Sequence, residues 1–327
     1  MICTLCPRNC GAERTETKAG GYCAMPSLPR AAKAMLHLWE EPCLVGEHGA
    51  GTVFFSGCNL RCCFCQNGVI SQGGEGIGVT PERLREIYWE LIRQGAACID
   101  LVTPTHFTEA ILASLSEPLP VPVVWNSGGY EKPETLRRLQ GKVQIYLPDL
   151  KYALPGPARA YSGAEDYFDW ARDAILEMFR QTGPYRMEDG LLRSGVIIRH
   201  LLLPGEAENT RRCIDWVAET FRPGDVLVSL MSQYTPQPGA EGKLARRVTK
   251  AEYRAAAEYL ANCGITDGYT QERTSAREEY TPCRARPAYD PSGYGNPRRS
   301  ARRWKNHGCP SYPQPCRRRS PDRCAQR

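Results

Sequence analysis

The chain has 327 residues, enough for one large domain or two, with 16 cysteines and 42 Lys and Arg against 36 Asp and Glu, a formal charge of +6. No apolar run approaches a membrane span, Met1-Ile2-Cys3 does not open a charged-then-apolar leader, and many cysteines without such a leader argue for metal ligation rather than a disulfide framework. A cytoplasmic protein with no membrane partner is therefore expected. Residues 281–327 carry twelve Lys and Arg against Asp290 and Asp322, a net +10, which leaves residues 1–280 at about −4. The basic balance belongs to the end of the chain and gives no argument for nucleic acid as a partner.

Residues 1–30 show neither helical nor strand period and hold Cys3, Cys6, Cys10 and Cys23. So short a segment cannot stabilise itself by apolar burial, which makes a metal cross-link physically sensible. Structural zinc and an auxiliary iron–sulfur cluster suit four thiolates equally, with free thiols as a third reading. Residues 34–45 read as extended around Glu40-Glu41-Pro42-Cys43. Thr52-Val53-Phe54-Phe55 then reads as a buried strand, followed by Gly57-Cys58-Asn59-Leu60-Arg61-Cys62-Cys63-Phe64-Cys65-Gln66-Asn67.

Within that loop Cys58, Cys62 and Cys65 form a C-x3-C-x2-C triplet, able to hold three corners of a cubane cluster and leave one iron open. A closed zinc site wants four ligands, and only adjacent Cys63 offers a fourth. A Cys58/Cys63/Cys65 set has the wrong spacing, so Cys63 reads as a bystander.

Beyond the loop, Thr80 caps a helix with Pro81 at its first position and Leu84, Ile87, Tyr88, Leu91 and Ile92 as its apolar stripe, stopped by Gly95. Strands are expected at 98–102, 121–125, 143–147, 196–203 and 226–230, with helices at 109–114, 133–139, 165–181 and 210–221. A last helix opens on a Thr249–Glu252 capping box and ends before Gly264. Six strands alternating with helices over 52–262 fit a parallel barrel or partial barrel better than an open doubly wound sheet. Cysteines stand where a dinucleotide fold would carry its glycines.

Parallel α/β folds place chemistry at strand C-termini, so polar groups there are candidates. Thr103, Thr105 and His106 follow the second strand. Asn126, Ser127, Gly128 and Gly129 follow the third, the glycines suited to close approach of backbone and ligand. Asp149 and Lys151 follow the fourth and share one face. Arg199 and His200 in the fifth strand, and Ser232-Gln233-Tyr234 after the sixth, place polar groups on apolar strands, and a buried Arg needs an anion. Ordinary turns, a structural histidine and a surface ion pair are the bland alternatives.

The triplet, with Phe64 just before its last cysteine, resembles the radical S-adenosylmethionine (SAM) enzymes. Taken with Glu40-Glu41-Pro42-Cys43, Thr103-Pro104-Thr105-His106-Phe107, Leu147-Pro148-Asp149-Leu150-Lys151-Tyr152, Leu230-Met231-Ser232-Gln233-Tyr234-Thr235-Pro236 and the N-terminal cysteines, it is similar to the PflX-type branch related to pyruvate formate-lyase-activating enzymes. The similarity covers residues 1 to about 280. It implies a partial (β/α)6 TIM-like barrel and a 4Fe–4S cluster on Cys58, Cys62 and Cys65, with SAM on the open iron. The chemistry implied is reductive cleavage of SAM to a 5′-deoxyadenosyl radical that abstracts hydrogen from a substrate. Activating enzymes take that hydrogen from a glycine of a partner, so a protein substrate is implied, with an external electron donor such as flavodoxin or ferredoxin. An Asp-x-Lys like Asp149 and Lys151 meets the SAM carboxylate and a monovalent cation in those enzymes. The chain departs from the family where Thr103, Thr105 and His106 replace a Gly-Gly-Glu segment. Gly73-Gly74-Glu75 lies only eight residues past Cys65 and reads as a decoy.

The expected organisation is a cysteine-rich segment over 1–50 holding the second metal site, a barrel over 51–280 and a basic tail over 281–327. That tail lacks Leu, Ile, Val, Met and Phe and holds eight prolines and eleven arginines, so disorder is expected. It reads as a tether, as a poor metal site of Cys309, Cys316, Cys324 and His307, or as out-of-frame translation. Two other functions compete with a protein-modifying radical enzyme: radical chemistry on a small metabolite, and a non-catalytic, metal-stabilised nucleic-acid-binding protein.

Overall fold

The computed structural model describes residues 2–270; the tail, with its expected disorder and its cysteines, lies outside the described residues. An irregular opening is pinned by isolated bridges between Ile2 and Glu13 and between Gly20 and Met25. The order is then β1 (Arg30–His37), α1 (Pro42–Val45), β2 (Ala50–Phe55), α2 (Gly68–Ser71), β3 (Ile77–Gly78), α3 (Pro81–Arg93), β4 (Ile99–Val102), α4 (Thr108–Ser114), β5 (Val123–Ser127), α5 (Pro133–Arg137), β6 (Ile145–Pro148), α6 (Pro155–Ser162), α7 (Tyr167–Thr182), β7 (Arg186–Glu188), β8 (Leu191–Leu201), α8 (Ala207–Thr220), β9 (Leu227–Met231), α9 (Lys250–Asn262) and β10 (Gly268–Thr270).

The helix ends form for the reasons the residues suggest. Thr80 Oγ1 accepts from the Arg83 N–H at 3.2 Å and Pro81 starts α3, which buries Leu84, Ile87, Tyr88 and Leu91. Thr249 and Glu252 form the reciprocal capping box of α9. The extended reading of 34–45 holds only to His37. Pro42, whose ring presets a helical φ, starts a turn that buries Cys43 and Leu44. A hairpin missed in the sequence, β7 with β8, turns at Asp189-Gly190, a dipeptide that favours tight hairpins.

Strands β2, β4, β5, β6, β8, β9 and β10 run parallel in that order, with β1 antiparallel on β2 and β3 outside it. Alternation along them divides the core. Leu101, Trp125, Tyr146, Ile198 and Val228 pack with the helices. Ala50, Cys98, Val124, Ile145, Leu147, Ile197 and Leu227 pack on the other face, against Cys43 and Leu44 of α1. Arg199 on β8 reaches over β6 to Asn126 on β5 along this concave side. The expected partial barrel is thus the observed architecture, with α1 as a plug inside it and β10 as a further parallel strand.

Candidate active site at the strand ends

Every residue of β2 is buried, and the strand delivers the chain into a tight corner at Gly57. There φ is +82°, and a Cβ would stand 2.3 Å from Met25 Cγ and 2.9 Å from the Cys23 carbonyl oxygen, so only glycine fits. The loop then curls back, with the Cys65 N–H donating to the Cys62 carbonyl at 3.1 Å. Each sulphur of the triplet receives a hydrogen bond: the Leu60 N–H donates to Cys58 Sγ at 3.4 Å, Ser162 Oγ to Cys62 Sγ at 2.9 Å, and Ser71 Oγ to Cys65 Sγ at 3.3 Å. Burial pushes the Cys62 thiol up to about 12, Lys151 pulls against that, and Cys58 and Cys65 add to it, so the three sulphurs feel one another. Cys63 is exposed, and its N–H is taken by the Tyr161 carbonyl.

Donors aimed at sulphur are the outer partners that thiolate ligands use. Among the described residues no three His, Cys, Asp or Glu side chains converge on a single metal ion. A cubane takes its thiolates at separate corners instead, and the donor set of Cys58, Cys62 and Cys65 fits that group.

Beside the loop, the concave face carries a buried ionic network. Asp149 Oδ1 accepts from Arg199 Nε at 3.0 Å while its Oδ2 pairs with Lys151 Nζ. Arg199 also donates to Glu40 Oε1 at 3.1 Å and Asn126 Oδ1 at 2.6 Å, and Asn126 Nδ2 donates to Glu40 Oε2 at 3.2 Å. Thr52 Oγ1 donates to Asp100 Oδ2 at 3.3 Å, leaving Asp100 Oδ1 buried without a partner. Burial beside Glu40 raises the Asp100 carboxyl well above the usual range, whereas Lys151 and Arg199 overcome the burial of Asp149 and hold it low. Asn126, Asp149, Lys151 and Arg199 are therefore brought together as expected of one strand-end cluster, and Lys151 joins it electrostatically to Cys62.

The other candidates go elsewhere. Ser127 follows Asn126 and so points to the opposite face of the sheet. There it neighbours Glu131, a fully buried carboxylate that also accepts from Thr105 Oγ1 at 2.7 Å and Trp125 Nε1 at 3.2 Å. His106 is buried, holds the Ser56 carbonyl with Nε2 at 2.7 Å and packs on Phe107, and burial lowers its imidazole to about 3. It lines a cleft of about 400 Å³ beside Cys3 and Arg14, away from the ionic network. Thr103 takes a left-handed φ of +60° at the end of β4, with its N–H on the Asn126 carbonyl at 2.8 Å. Gly128 and Gly129 serve protein contacts: a Cβ on Gly129 would lie 2.2 Å from the Asp149 carbonyl oxygen, and one on Gly128 would lie 2.8 Å from Leu60 Cδ1. His200 binds the Leu150 carbonyl and Thr210, a structural role. Glu75 is exposed.

The N-terminal knot lies over this end of the barrel. Arg14, buried, donates to the carbonyls of Met25 and His106 and to Cys3 Sγ at 3.4 Å. Cys6 feels both Cys3 and Cys23, and Cys23 feels Cys3 and Cys10, so Cys23 links Cys10 to the pair of Cys3 and Cys6. Burial pushes Cys6 up to about 12 while backbone N–H groups hold exposed Cys10 low.

Sequence reasoning did not place Glu40 or Asp100 in the site. An acid inside the apolar run Ile99-Asp100-Leu101-Val102 was a usable signal, since a parallel strand buried on both faces has little room for one. Glu131, Ser71 and Ser162 carried no local signal, because tertiary packing alone aims them.

No family model matches the chain. It is 30% identical over 269 residues to the uncharacterized protein MJ0674 of Methanocaldococcus jannaschii, covering 78% of this chain and 73% of that protein. Among solved structures it is distantly similar to a domain of pyruvate-formate lyase-activating enzyme from Bacteroides vulgatus, at 12% identity over 59% of this chain and 91% of that chain, TM-score 0.34. It is likewise distantly similar to SuiB of Streptococcus suis bound to S-adenosylmethionine, at 14% over 66% of this chain and 48% of that chain, TM-score 0.44. For methylornithine synthase (PylB) the values are 16%, 65% and 62%, with TM-score 0.46.

Proposed function

We propose that this chain, which belongs to the family of the Methanocaldococcus jannaschii protein MJ0674, is a radical SAM enzyme that holds a 4Fe–4S cluster through Cys58, Cys62 and Cys65. The supporting observation is the loop at the end of β2, where three neighbouring sulphurs each accept a hydrogen bond from a separate protein donor. When bound, the cluster and SAM supply reductive cleavage of the sulfonium and hydrogen abstraction from substrate. The protein's own part is to orient and to exclude water. Phe64, buried against Tyr161 and Tyr234, shields the loop. Asp149, Lys151, Arg199 and Asn126 offer opposed charges beside it, suited to an amino-acid zwitterion such as the methionyl end of SAM. The electron comes from an external donor protein, and the hydrogen from a protein partner, in line with the activating-enzyme resemblance. The knot of Cys3, Cys6, Cys10 and Cys23 takes a second metal as an auxiliary cluster, since among the described residues no three of its thiols converge on a single ion as zinc requires.

Anaerobic reconstitution with iron and sulfide, followed by SAM and a reductant, tests this reading. About four iron at the triplet and formation of 5′-deoxyadenosine are expected. Uptake of zinc alone at Cys58, Cys62 and Cys65 would overturn it.

A further inference from the structure

We propose that the N-terminal knot is a positioning element for the strand-end thiols and that Arg8 is its working residue; the proposal rests on the reading of Cys58, Cys62 and Cys65 as ligands. Arg8 lies between Cys6 and Cys10 in sequence, far from the β2 loop, yet its guanidinium is spent on that loop and its neighbour. Nε donates to the Asn59 carbonyl at 2.8 Å, Nη2 to the Ser162 carbonyl at 2.9 Å, and Nη1 to the Gly163 carbonyl. Asn59 follows Cys58 directly. Ser162 is the residue whose hydroxyl donates to Cys62 Sγ. Both sides of the sulphur site are thus held by one side chain.

The chemistry of the arrangement is specific. The carbonyls of Ser162 and Gly163 end α6 and lack helical partners, and such acceptors carry partial negative charge. A planar fork of five donors can satisfy three carbonyls at fixed angles, which a lysine cannot. The fork is oriented in turn: its carbon lies 3.9 Å from the ring centroid of Tyr22 and 5.2 Å from that of Tyr130. Tyr22 also belongs to the knot and donates its hydroxyl to the Leu60 carbonyl at 3.2 Å. Two knot residues therefore grip consecutive carbonyls, Asn59 and Leu60, inside the triplet.

The knot has separate anchors. Thr135 Oγ1 donates to the Leu5 carbonyl at 2.8 Å, and Arg14 binds Met25 and His106. Losing Arg8 should free the loop without releasing the knot, which separates positioning from general stability.

The test uses the full-length, metal-free chain, with hydrogen exchange over residues 57–66 and site-resolved iodoacetamide alkylation of each cysteine. Arg8→Ala should raise loop exchange and Cys62 alkylation about tenfold, the size expected when charge-assisted hydrogen bonds are lost. Arg8→Lys should fall between, Tyr22→Phe should give a smaller rise confined to residues 60–62, and Lys18→Ala, at the exposed Lys18–Glu13 pair, should match wild type. Cys3 and Cys6 should react at wild-type rates in Arg8→Ala. After cluster loading, Arg8→Ala should alter the electron paramagnetic resonance signature of the reduced cluster. Wild-type loop rates in Arg8→Ala, or loosening of knot and loop together, would overturn the proposal. A wild-type chain that takes up no cluster would overturn the proposed chemistry, while the exchange measurement still decides whether Arg8 holds the loop.

Discussion

Two sulphur-rich regions meet at the same end of this barrel, and they are held in opposite ways. The β2 loop leaves a fully buried strand, turns at a glycine that nothing else can replace, and has its sulphurs covered by hydrogen-bond donors. The knot contains only isolated bridges and is seated by side chains, Arg8 and Arg14, that reach outward to backbone carbonyls. Cys62 is buried and Cys6 half-buried, yet Cys63 and Cys10 remain exposed within the same two segments. Cysteine count therefore says little about role. What separates the two sets of thiols is the backbone that carries them: the loop's thiols follow a fully buried strand, whereas the knot's thiols sit on a segment seated by arginine side chains.

The largest expected effect breaks the two regions apart. Cys62→Ala should abolish 5′-deoxyadenosine formation, because an incomplete corner cannot retain the cubane, and Cys63→Ala should leave much of that activity. Cys6→Ala combined with Cys10→Ala should lower stability and turnover yet retain measurable SAM cleavage. Equal, complete loss in the loop and the knot variants would show that the two regions form one site. Next in size, Asp149→Asn should weaken SAM binding or its cleavage by roughly thirty- to several-thousandfold with iron content unchanged, since a buried charge pair loses about 2–5 kcal/mol when one partner is removed. Arg199→Lys should behave similarly, as one ammonium cannot serve Asp149, Glu40 and Asn126 together. Wild-type affinity and turnover in Asp149→Asn would remove the ionic network from the site.

The barrel and the triplet were legible because both rest on local pattern: βα alternation, caps and cysteine spacing. Asp149 and Lys151 were legible through strand parity. Parity also explains what was not, since Asn126 and Ser127 were read as one polar group although adjacent strand residues face opposite ways. His106 was open between a site role and a structural one, and its partners Ser56 and Arg14 come from fifty and ninety-two residues away. Glu40 reaches Arg199 across 159 residues of chain, a separation that no local window spans.

His106 lies on the seam between the regions, with its imidazole on the loop side and its carbonyl on Arg14 of the knot, so it gives a smaller, pH-dependent test. Folding lowers its imidazole from 6.5 to about 3. Above pH 6.5 both folded and unfolded chains hold it neutral and it costs nothing. Between 6.5 and 3 the unfolded chain binds a proton that the folded chain does not, so stability falls as pH falls through that window. From pH 7 to 5 this group should cost roughly 2 kcal/mol. Glu41, pushed up to about 7 by burial, works in the opposite direction, so the comparison must be with His106→Asn rather than with zero. Denaturant midpoints at the two pH values should converge more in wild type than in the variant; an identical pH dependence would mean that His106 is not held neutral by the seam.

The smallest effect sharpens the comparison by naming what lies just outside it. Glu75→Gln should leave cluster content, SAM affinity and turnover within error of wild type. Gly73-Gly74-Glu75 matches the residue types that the radical SAM resemblance implies for the SAM amino group, but it sits between α2 and β3 rather than at the end of β4. Its contacts are main-chain ones: the Glu75 carbonyl accepts from Ser56 Oγ and the Gly74 carbonyl from Arg30 at 3.1 Å, while the Glu75 carboxylate itself is exposed. An exposed side chain replaced by its own amide alters stability by only about ±0.5 kcal/mol. In the proposed site the end of β4 belongs to Thr103, in its left-handed backbone, so Thr103→Gly is expected to perturb SAM binding where Glu75→Gln does not. Loss of SAM affinity in Glu75→Gln, with Thr103→Gly unaffected, would mean that the loop after the triplet folds over the cofactor and that the boundary of the site runs through α2.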